Sequence, residues 1–484
     1  MLGKLSVEIK GVKKPVRIAS GVTVIAVMTK PYPCPHGRCI YCPGGPAYGT
    51  PQSYLEDSPA AARAARYNYD PYEQVRARLL QYVRMGHTPS KIEVIVMGGT
   101  FTALPYDYQE WFVTMIFEAL NRFPQPKPKK WVSLEDAQRR NEKAKIRCVG
   151  LTFETRPDYA KERHVDWMLR FGGTRCEIGV QTIYDDILKR IERGHTVKDT
   201  IEATRILKDS GFKVCYHIMP GLPGSDLDRD LEMIKTIIED PNFKPDMLKI
   251  YPTLVIPGTK LYEMWKRGEY KALTDEEIVE FGIKVFSILP RWIRVMRFQR
   301  DIPVHHIAAG PRKGNLRQII ELELRKRGIR SLEIRFREVG LNLLKYGETP
   351  NPKDIKLVRE TYEASGGIEE FLCYEDPIRN LLIGFIRLRI PSEKAHRWEI
   401  DSRTAIIREL HVYGLQVPIG EKWNLSWQHK GYGRKLLQEA ERIAAEEYDI
   451  RKMLIISGIG VREYYRKLGY KRHPGSTYMY KYLD

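Results

Sequence analysis

Short apolar runs rich in β-branched residues recur through the first half of the chain, at residues 22–28, 92–97, 148–153, 174–181, 212–219 and 247–251. Runs of this length, bounded by glycine, proline and polar clusters, predict buried strands. Residues 58–84, 107–122 and 196–210 lie between them and carry helical spacing. Alternating strands and helices predict an α/β architecture, a parallel sheet wound as a partial (β/α)6 barrel. Reactive groups of such a barrel gather at the strand C-terminal ends. Glu154, Arg156, Glu177, Gln181, His217 and Lys249 fall there, with Gly98 and Gly99 where backbone can approach a ligand closely. From about residue 351 the pattern becomes antiparallel α+β. Residues 370–375 and 381–389 read as a hairpin, 405–413 as a strand, 434–447 as an amphipathic helix and 452–456 as a further strand. The predicted units are 1–290, a bridging region 291–350, and 351–484.

Composition adds little to this and charge adds more. A chain of 484 residues, 43% hydrophobic and 29% charged, suits a folded protein of two to four domains. No apolar run approaches the roughly 18 residues a membrane span needs. The charged start lacks a signal peptide's apolar stretch, so a cytoplasmic protein without membrane contact is expected. The net charge of +19 points to a polyanionic partner, and its distribution is uneven. Residues 291–345 hold 14 basic and 5 acidic side chains, with Trp292, Phe298 and Phe336 among the arginines. That mixture suits phosphate contact and base stacking, although a solvated charged linker has the same composition. Arg297, Arg300, Arg312, Lys313 and Arg317 are the candidate nucleic-acid contacts.

The seven cysteines divide into two kinds. Cys148, Cys176, Cys215 and Cys373 stand singly among apolar neighbours and read as buried core residues. Cys34, Cys39 and Cys42 share one loop after the first predicted strand, in the sequence Cys34-Pro-His-Gly-Arg-Cys-Ile-Tyr-Cys42. Three thiolates at this spacing suit a 4Fe-4S cluster with one iron open, or a zinc ion if His36 supplies the fourth ligand. In the second half, Gln428-His-Lys-Gly-Tyr-Gly433 follows a strand and opens a helix. Its main-chain N–H groups suit the pyrophosphate of coenzyme A.

These features together resemble the catalytic subunit of Elongator in its single-chain archaeal or bacterial form, from about residue 16 to 480. The resemblance rests on Cys34-Pro-His-Gly-Arg-Cys-Ile-Tyr-Cys-Pro-Gly-Gly45, Glu154-Thr-Arg-Pro-Asp158, Arg300-Asp-Ile-Pro303, Arg408-Glu-Leu-His-Val-Tyr-Gly414, Gln428-His-Lys-Gly431 and Tyr464-Tyr-Arg-Lys-Leu-Gly-Tyr470. It implies a radical S-adenosylmethionine barrel followed by a GNAT acetyltransferase domain. Cys34, Cys39 and Cys42 would hold the 4Fe-4S cluster, while Gly98, Gly99, Glu154, Arg156 and Gln181 would contact S-adenosylmethionine. Acetyl-CoA would lie against Glu409, Leu410, His411, Val412, Gln428, Gly431, Tyr432, Gly433 and Tyr464. Tyr464, Tyr465 and Lys249 are the catalytic candidates. The implied reaction makes a radical at the acetyl methyl group and attaches it to carbon 5 of the wobble uridine of tRNA. Thioester hydrolysis then leaves carboxymethyluridine.

The implied partners are acetyl-CoA and tRNA, held at its anticodon stem-loop, with a homodimer or accessory subunits as further candidates. Two departures from the family are expected. The barrel begins almost at once, so the basic N-terminal extension that commonly helps bind tRNA is either lacking in this lineage or trimmed from the sequence, and weakened tRNA affinity is expected. Residues 291–345 also lack cysteine and offer only His305 and His306, so the junction zinc that many members hold through cysteines is not expected. The competing functions are a protein lysine acetyltransferase with a structural iron-sulfur domain, and a non-catalytic RNA scaffold.

Overall fold

The computed structural model describes residues 20–299, 301–414, 427–428 and 430–483. Its first sheet runs β1 (Thr23–Met28), β2 (Lys91–Met97), β3 (Arg147–Thr155), β4 (Arg175–Gln181), β5 (Lys213–Ile218), β6 (Met247–Ile250) and β7 (Arg294–Phe298), in that spatial order. Every neighbouring pair is parallel, which makes an open half-barrel. The seventh strand exceeds the six expected and lies inside the segment read as a bridge. It was hidden because its apolar residues, Val295, Met296 and Phe298, are interrupted by Arg294 and Arg297. The helical stretch 58–84 is two helices, Pro59–Ala65 and Pro71–Arg84. Asn68 and Tyr69 turn the chain through positive φ, and Asp70 then caps a new helix that starts on Pro71.

The second sheet has the order β13–β14–β12–β11–β10–β9–β8, from β8 (Lys356–Ala364), β9 (Gly367–Asp376), β10 (Leu381–Ile390), β11 (Thr404–Val412), β12 (Lys452–Ile455), β13 (Lys471–Arg472) and β14 (Met479–Tyr482). The predicted hairpin is β9–β10, paired antiparallel. Helix Tyr432–Tyr448 covers one face of this sheet with Leu436, Leu437, Ala440 and Ile443. Its other face meets the barrel. Phe371, Phe385, Ile406 and Leu454 join a core continuous with Val214, Leu248 and Val295.

A buried ionic layer crosses the same boundary. Arg408 of β11 donates to Asp246 at 2.8 and 2.6 Å, to Glu369 at 3.1 and 2.7 Å, and to the Phe212 carbonyl at 2.7 Å. Arg389 bridges Asp209 and Glu369, Arg387 bridges Asp246 and Glu409, and Lys208 lies 3.6 Å from Asp246 and 3.4 Å from Glu369. The two domains are therefore packed as one body. No helix among the described residues is long and apolar enough to cross a membrane.

Candidate functional site

The loop after β1 brings Cys34, Cys39 and Cys42 to the C-terminal end of the half-barrel. Cys39 and Cys42 are buried, Cys34 is partly exposed, and no disulfide occupies any of the seven cysteines. Polar donors surround the sulfurs. Cys42 Sγ accepts from Gln52 Nε2 at 3.1 Å and lies 3.1 Å from Ser53 Oγ. Cys39 Sγ lies 3.2 Å from His36 Nε2 and 3.6 Å from Arg193 Nη1, and Cys34 Sγ lies 3.6 Å from Thr100 Oγ1. Burial, followed by the nearby Arg156 and Arg193, pushes His36 down to about 3. Burial also raises the Cys34 thiol, with Thr100 and Arg193 opposing it.

One cavity opens over this loop, lined by Cys34, Tyr54, Gly99, Glu154, Gln181 and Tyr251, among others. Gly98 and Gly99 end β2 at φ 131° and 88°. A Cβ on Gly98 would stand 2.0 Å from Thr29 Oγ1, and Gly99, whose Cβ would meet Gln52 Cβ at 3.3 Å, needs glycine for its positive φ. Lys249, from β6, donates to Glu154 at 3.1 Å and pairs with Glu177. Glu177 also lies 2.8 Å from His217 Nε2, and Tyr54 donates to Glu154 at 3.2 Å. Burial opposes the charge on Lys249, but Glu177, Tyr251 and Glu154 outweigh it and raise the ammonium well above its ordinary value. Burial opposes ionisation of Glu177 too, and Lys249, His217 and Arg175 hold it well below the usual carboxylate range.

Arg156 lines the cavity, but its guanidinium is committed to the protein. It chelates Asp158 at 2.9 and 2.9 Å, donates to the Arg193 carbonyl at 2.8 Å and meets His36. Its position makes it a brace for the cysteine loop rather than a free ligand contact. Tyr54, Arg193 and Tyr251 are cavity residues that sequence reasoning missed. Arg193 reaches Cys39 from a turn far along the chain, for which no local motif exists.

The second predicted site assembles where β11 and β12 part. Their parallel pairing runs from Thr404↔Lys452 to Ile407↔Ile455 and stops, while β11 continues against β10 to Val412. The main chain of Glu409–Val412 thus leaves β12 at the point where a ligand backbone could replace it. Gly431 caps helix Tyr432–Tyr448 at φ 88° with open space around its Cβ position. A Cβ on Gly433 would stand 3.0 Å from the Tyr464 hydroxyl and 3.6 Å from Val412, so loop, strand and phenol converge. Tyr432 packs edge-on to Tyr374.

Other predicted contacts are turned elsewhere. Glu409 is ion-paired to Arg387 at 2.9 Å, Leu410 packs toward the second core, and His411 Nε2 lies 3.0 Å from the Ser20 carbonyl. Gln428 spans the domains: it donates to the Val412 carbonyl at 3.2 Å and accepts from Lys91 Nζ at 3.2 Å. Tyr465 is a correction. It is 6% exposed inside the second core, beside Tyr470, because one residue of helical turn separates it from the cleft-facing Tyr464.

The basic segment is also corrected in part. Arg317 is not offered to phosphate. It is buried between Glu321 at 2.7 Å and Glu333 at 2.9 Å, with a further bond to the Val295 carbonyl. Arg294 pairs with Glu338, and Arg337 with Glu375, so much of the local charge is answered internally. Arg297, Arg312 and Lys313 remain exposed; Arg297 also lines the cavity and pairs with Asp301. Arg300 lies outside the described residues.

The donor set fits the iron-sulfur alternative better than zinc. Cys34 lines the cavity, the buried Cys39 and Cys42 share its loop, and N–H and O–H donors lie around the three sulfurs, the surroundings that tune a cluster. Two sets of three potential ligand atoms converge within 4.8 Å among the described residues, and the three loop thiols are not one of them. A single zinc ion, with Zn–S bonds of about 2.3 Å, needs its sulfurs closer than that.

Known proteins agree with this geometry. The radical SAM superfamily matches residues 30–237, the radical SAM C-terminal domain matches 245–326, and the GNAT acetyltransferase family matches 344–470. A tRNA uridine(34) acetyltransferase of Methanocaldococcus jannaschii is 54% identical over 476 residues, covering 98% of this chain and 86% of that protein. Human Elongator complex protein 3 is 45% identical over 479 residues, covering 97% and 86%. The solved structure of archaeal Methanocaldococcus infernus Elp3 with an N-terminal deletion (1–46) superposes with a TM-score of 0.84 at 49% identity, covering 96% of this chain and 100% of that one. The chain belongs to the Elongator complex protein 3 family, with the radical SAM and GNAT domains in one polypeptide.

Proposed function

We propose that this chain is a tRNA uridine(34) acetyltransferase that attaches an acetyl-derived carbon to carbon 5 of the wobble uridine, yielding carboxymethyluridine after thioester hydrolysis. The observation that carries the reading is the presence in one closely packed chain of a three-cysteine loop beside a cavity and a parted β11–β12 cleft. Cys34, Cys39 and Cys42 would hold the 4Fe-4S cluster, which with S-adenosylmethionine supplies radical chemistry when bound. Gly99, Glu154 and Gln181 line the space beside it, and Gly98 precedes Gly99 in the turn after β2. Lys249 fixes the Glu154 and Glu177 carboxylates, so the cavity wall needs no reorganisation as charge develops.

In the second domain the Glu409–Val412 main chain and the Gly431–Gly433 loop would grip acetyl-CoA. Partial burial raises the Tyr464 phenol above its ordinary value. It stays protonated at neutral pH and can give its proton to a departing thiolate. Exposed Arg312 and Lys313, with Arg297 at the cavity, are the cations of the predicted set that would meet tRNA phosphates.

The test is anaerobic reconstitution with tRNA, S-adenosylmethionine and acetyl-CoA labelled in its acetyl group, followed by nucleoside analysis. Label is expected in uridine 34. Cys39→Ser should keep tRNA binding and lose modification altogether. Label in protein lysine with none in the nucleoside would replace this reading with protein acetylation.

A further inference from the structure

A second group of ligand-type side chains lies at the edge of the cavity and has no part in the chemistry above. Asp57 immediately precedes Ser58, a cavity residue, on the segment that follows the cysteine loop. His305 and His306 form most of a short helical turn, Val304–His306, just beyond the cavity residue Ile302. The two segments are remote in sequence and converge on one carboxylate. His305 Nε2 lies 2.8 Å from Asp57 Oδ2, and His306 Nε2 lies 2.9 Å from both Asp57 oxygens.

Both imidazoles therefore present the same ring nitrogen to the same point, with ring centroids 4.2 Å apart. The ligand atoms of all three side chains lie within 4.8 Å of one another, so two imidazole nitrogens and a carboxylate oxygen can meet on one divalent cation. The segments are also held in register beneath the polar groups. Ile302 and Ile307 are buried against Leu254 and Ile256, with Leu55 packed on the same cluster. The donors are thus supported by an apolar clamp on both segments.

We propose that Asp57, His305 and His306 form a zinc site that staples two walls of the cavity together at its rim. Two imidazole nitrogens and one carboxylate oxygen suit zinc, and three protein ligands leave a fourth position for water. Opening the present contacts to the ~3.3 Å edge of a zinc tetrahedron needs only small side-chain rotations. The side chains are accessible to an incoming ion, at 68% exposure for His305, 34% for His306 and 41% for Asp57. This donor set differs from a cysteine-held metal at the domain junction. The other convergent set, Glu177, Cys215 and His217, is already served by a cation, the Lys249 ammonium on Glu177.

The experiment uses the cluster-loaded enzyme under anaerobic conditions, so that the three loop thiols cannot take up zinc. Titration with Zn2+, followed by desalting and elemental analysis, should give one zinc per chain beyond the iron. The variant H305Q/H306Q, and separately D57N, should bind zinc at least about 100-fold more weakly with the iron content unchanged. Cobalt in place of zinc should give the visible absorption of a four-coordinate site in the wild type and lose it in both variants. Circular dichroism checks that these surface substitutions leave the fold intact. Equal zinc binding by wild type and variants, or none by the wild type, would overturn the site.

Discussion

Lys208 and Lys249 are both buried lysines held between two carboxylates, yet their surroundings drive them in opposite directions. Lys208 sits in the layer between the domains, where burial and the neighbouring Arg408 and Arg389 outweigh Asp246 and Glu369, lowering it to about 8. Lys249 sits against Glu154 of the cavity wall, where burial is outweighed by Glu177, Tyr251 and Glu154 and its proton is held more tightly than usual. The interdomain layer is balanced, with Lys208, Arg387, Arg389 and Arg408 against Asp209, Asp246, Glu369 and Glu409. The cavity network instead gathers Lys249, Arg175 and His217 around Glu177, with Lys249 also on Glu154, beside open space. The first arrangement is cement, because every charge is consumed within the protein. The second keeps polar groups in fixed positions where a ligand can meet them. Burial of charge alone does not mark a functional site; burial beside a cavity does.

The strongest way to break this contrast is to remove Arg408. Arg408→Met leaves Asp246 and Glu369 short of their main cation in a dry interface. The expected loss is about 3–5 kcal/mol of unfolding free energy, the range for stripping one partner from a buried pair. Denaturant titration measures it. A loss under about 1 kcal/mol would mean that the layer does not hold the domains together.

Lys249→Met should fail differently. The cavity wall can hydrate, so stability should fall by less than for Arg408→Met. Modification of tRNA should drop by about 100-fold through misplaced Glu154 and Glu177. Single-turnover assays of the reconstituted enzyme, set beside a denaturation curve, separate the two effects. Full activity with a large stability loss would move Lys249 into the same class as Lys208.

How much of this was legible in the sequence follows from the range of the interactions. The β1–β6 strands announce themselves as local apolar runs, and the cluster loop as three cysteines within nine residues. The β8 strand does not, because it is a sheet edge whose residues are largely exposed and polar. Arg317 reads as a surface cation until Glu333 is brought against it by the fold. Tyr464 and Tyr465 are adjacent in sequence, and only the helix phase sends one to the cleft and the other to the core. Asp57 and the histidine pair are too remote in sequence for any motif to join them. Charge counts and motifs capture local chemistry, whereas the partner of a buried charge is a property of the tertiary structure.

The smallest expected effect tests the opposite titration of the two lysines directly. Lys208 is lowered to about 8 from an ordinary 10.5, so between these values the unfolded chain holds a proton that the folded chain has released. Stability then rises with pH across that window, by on the order of 1–3 kcal/mol for this group. Lys249 is raised, so its contribution is fully present below the unfolded value and is lost only at higher pH, as the folded group finally titrates. Unfolding free energies measured from pH 7.5 to pH 10.5 should therefore show the wild type gaining on Lys208→Met as pH climbs. Against Lys249→Met the difference should stay flat over the same range. Taking differences between wild type and variant cancels the tyrosines and cysteines that titrate in the same window. Parallel curves for Lys208→Met would mean that Asp246 and Glu369 hold that ammonium as firmly as Glu177 and Glu154 hold Lys249, and the distinction between cement and cavity would have to rest on open space alone.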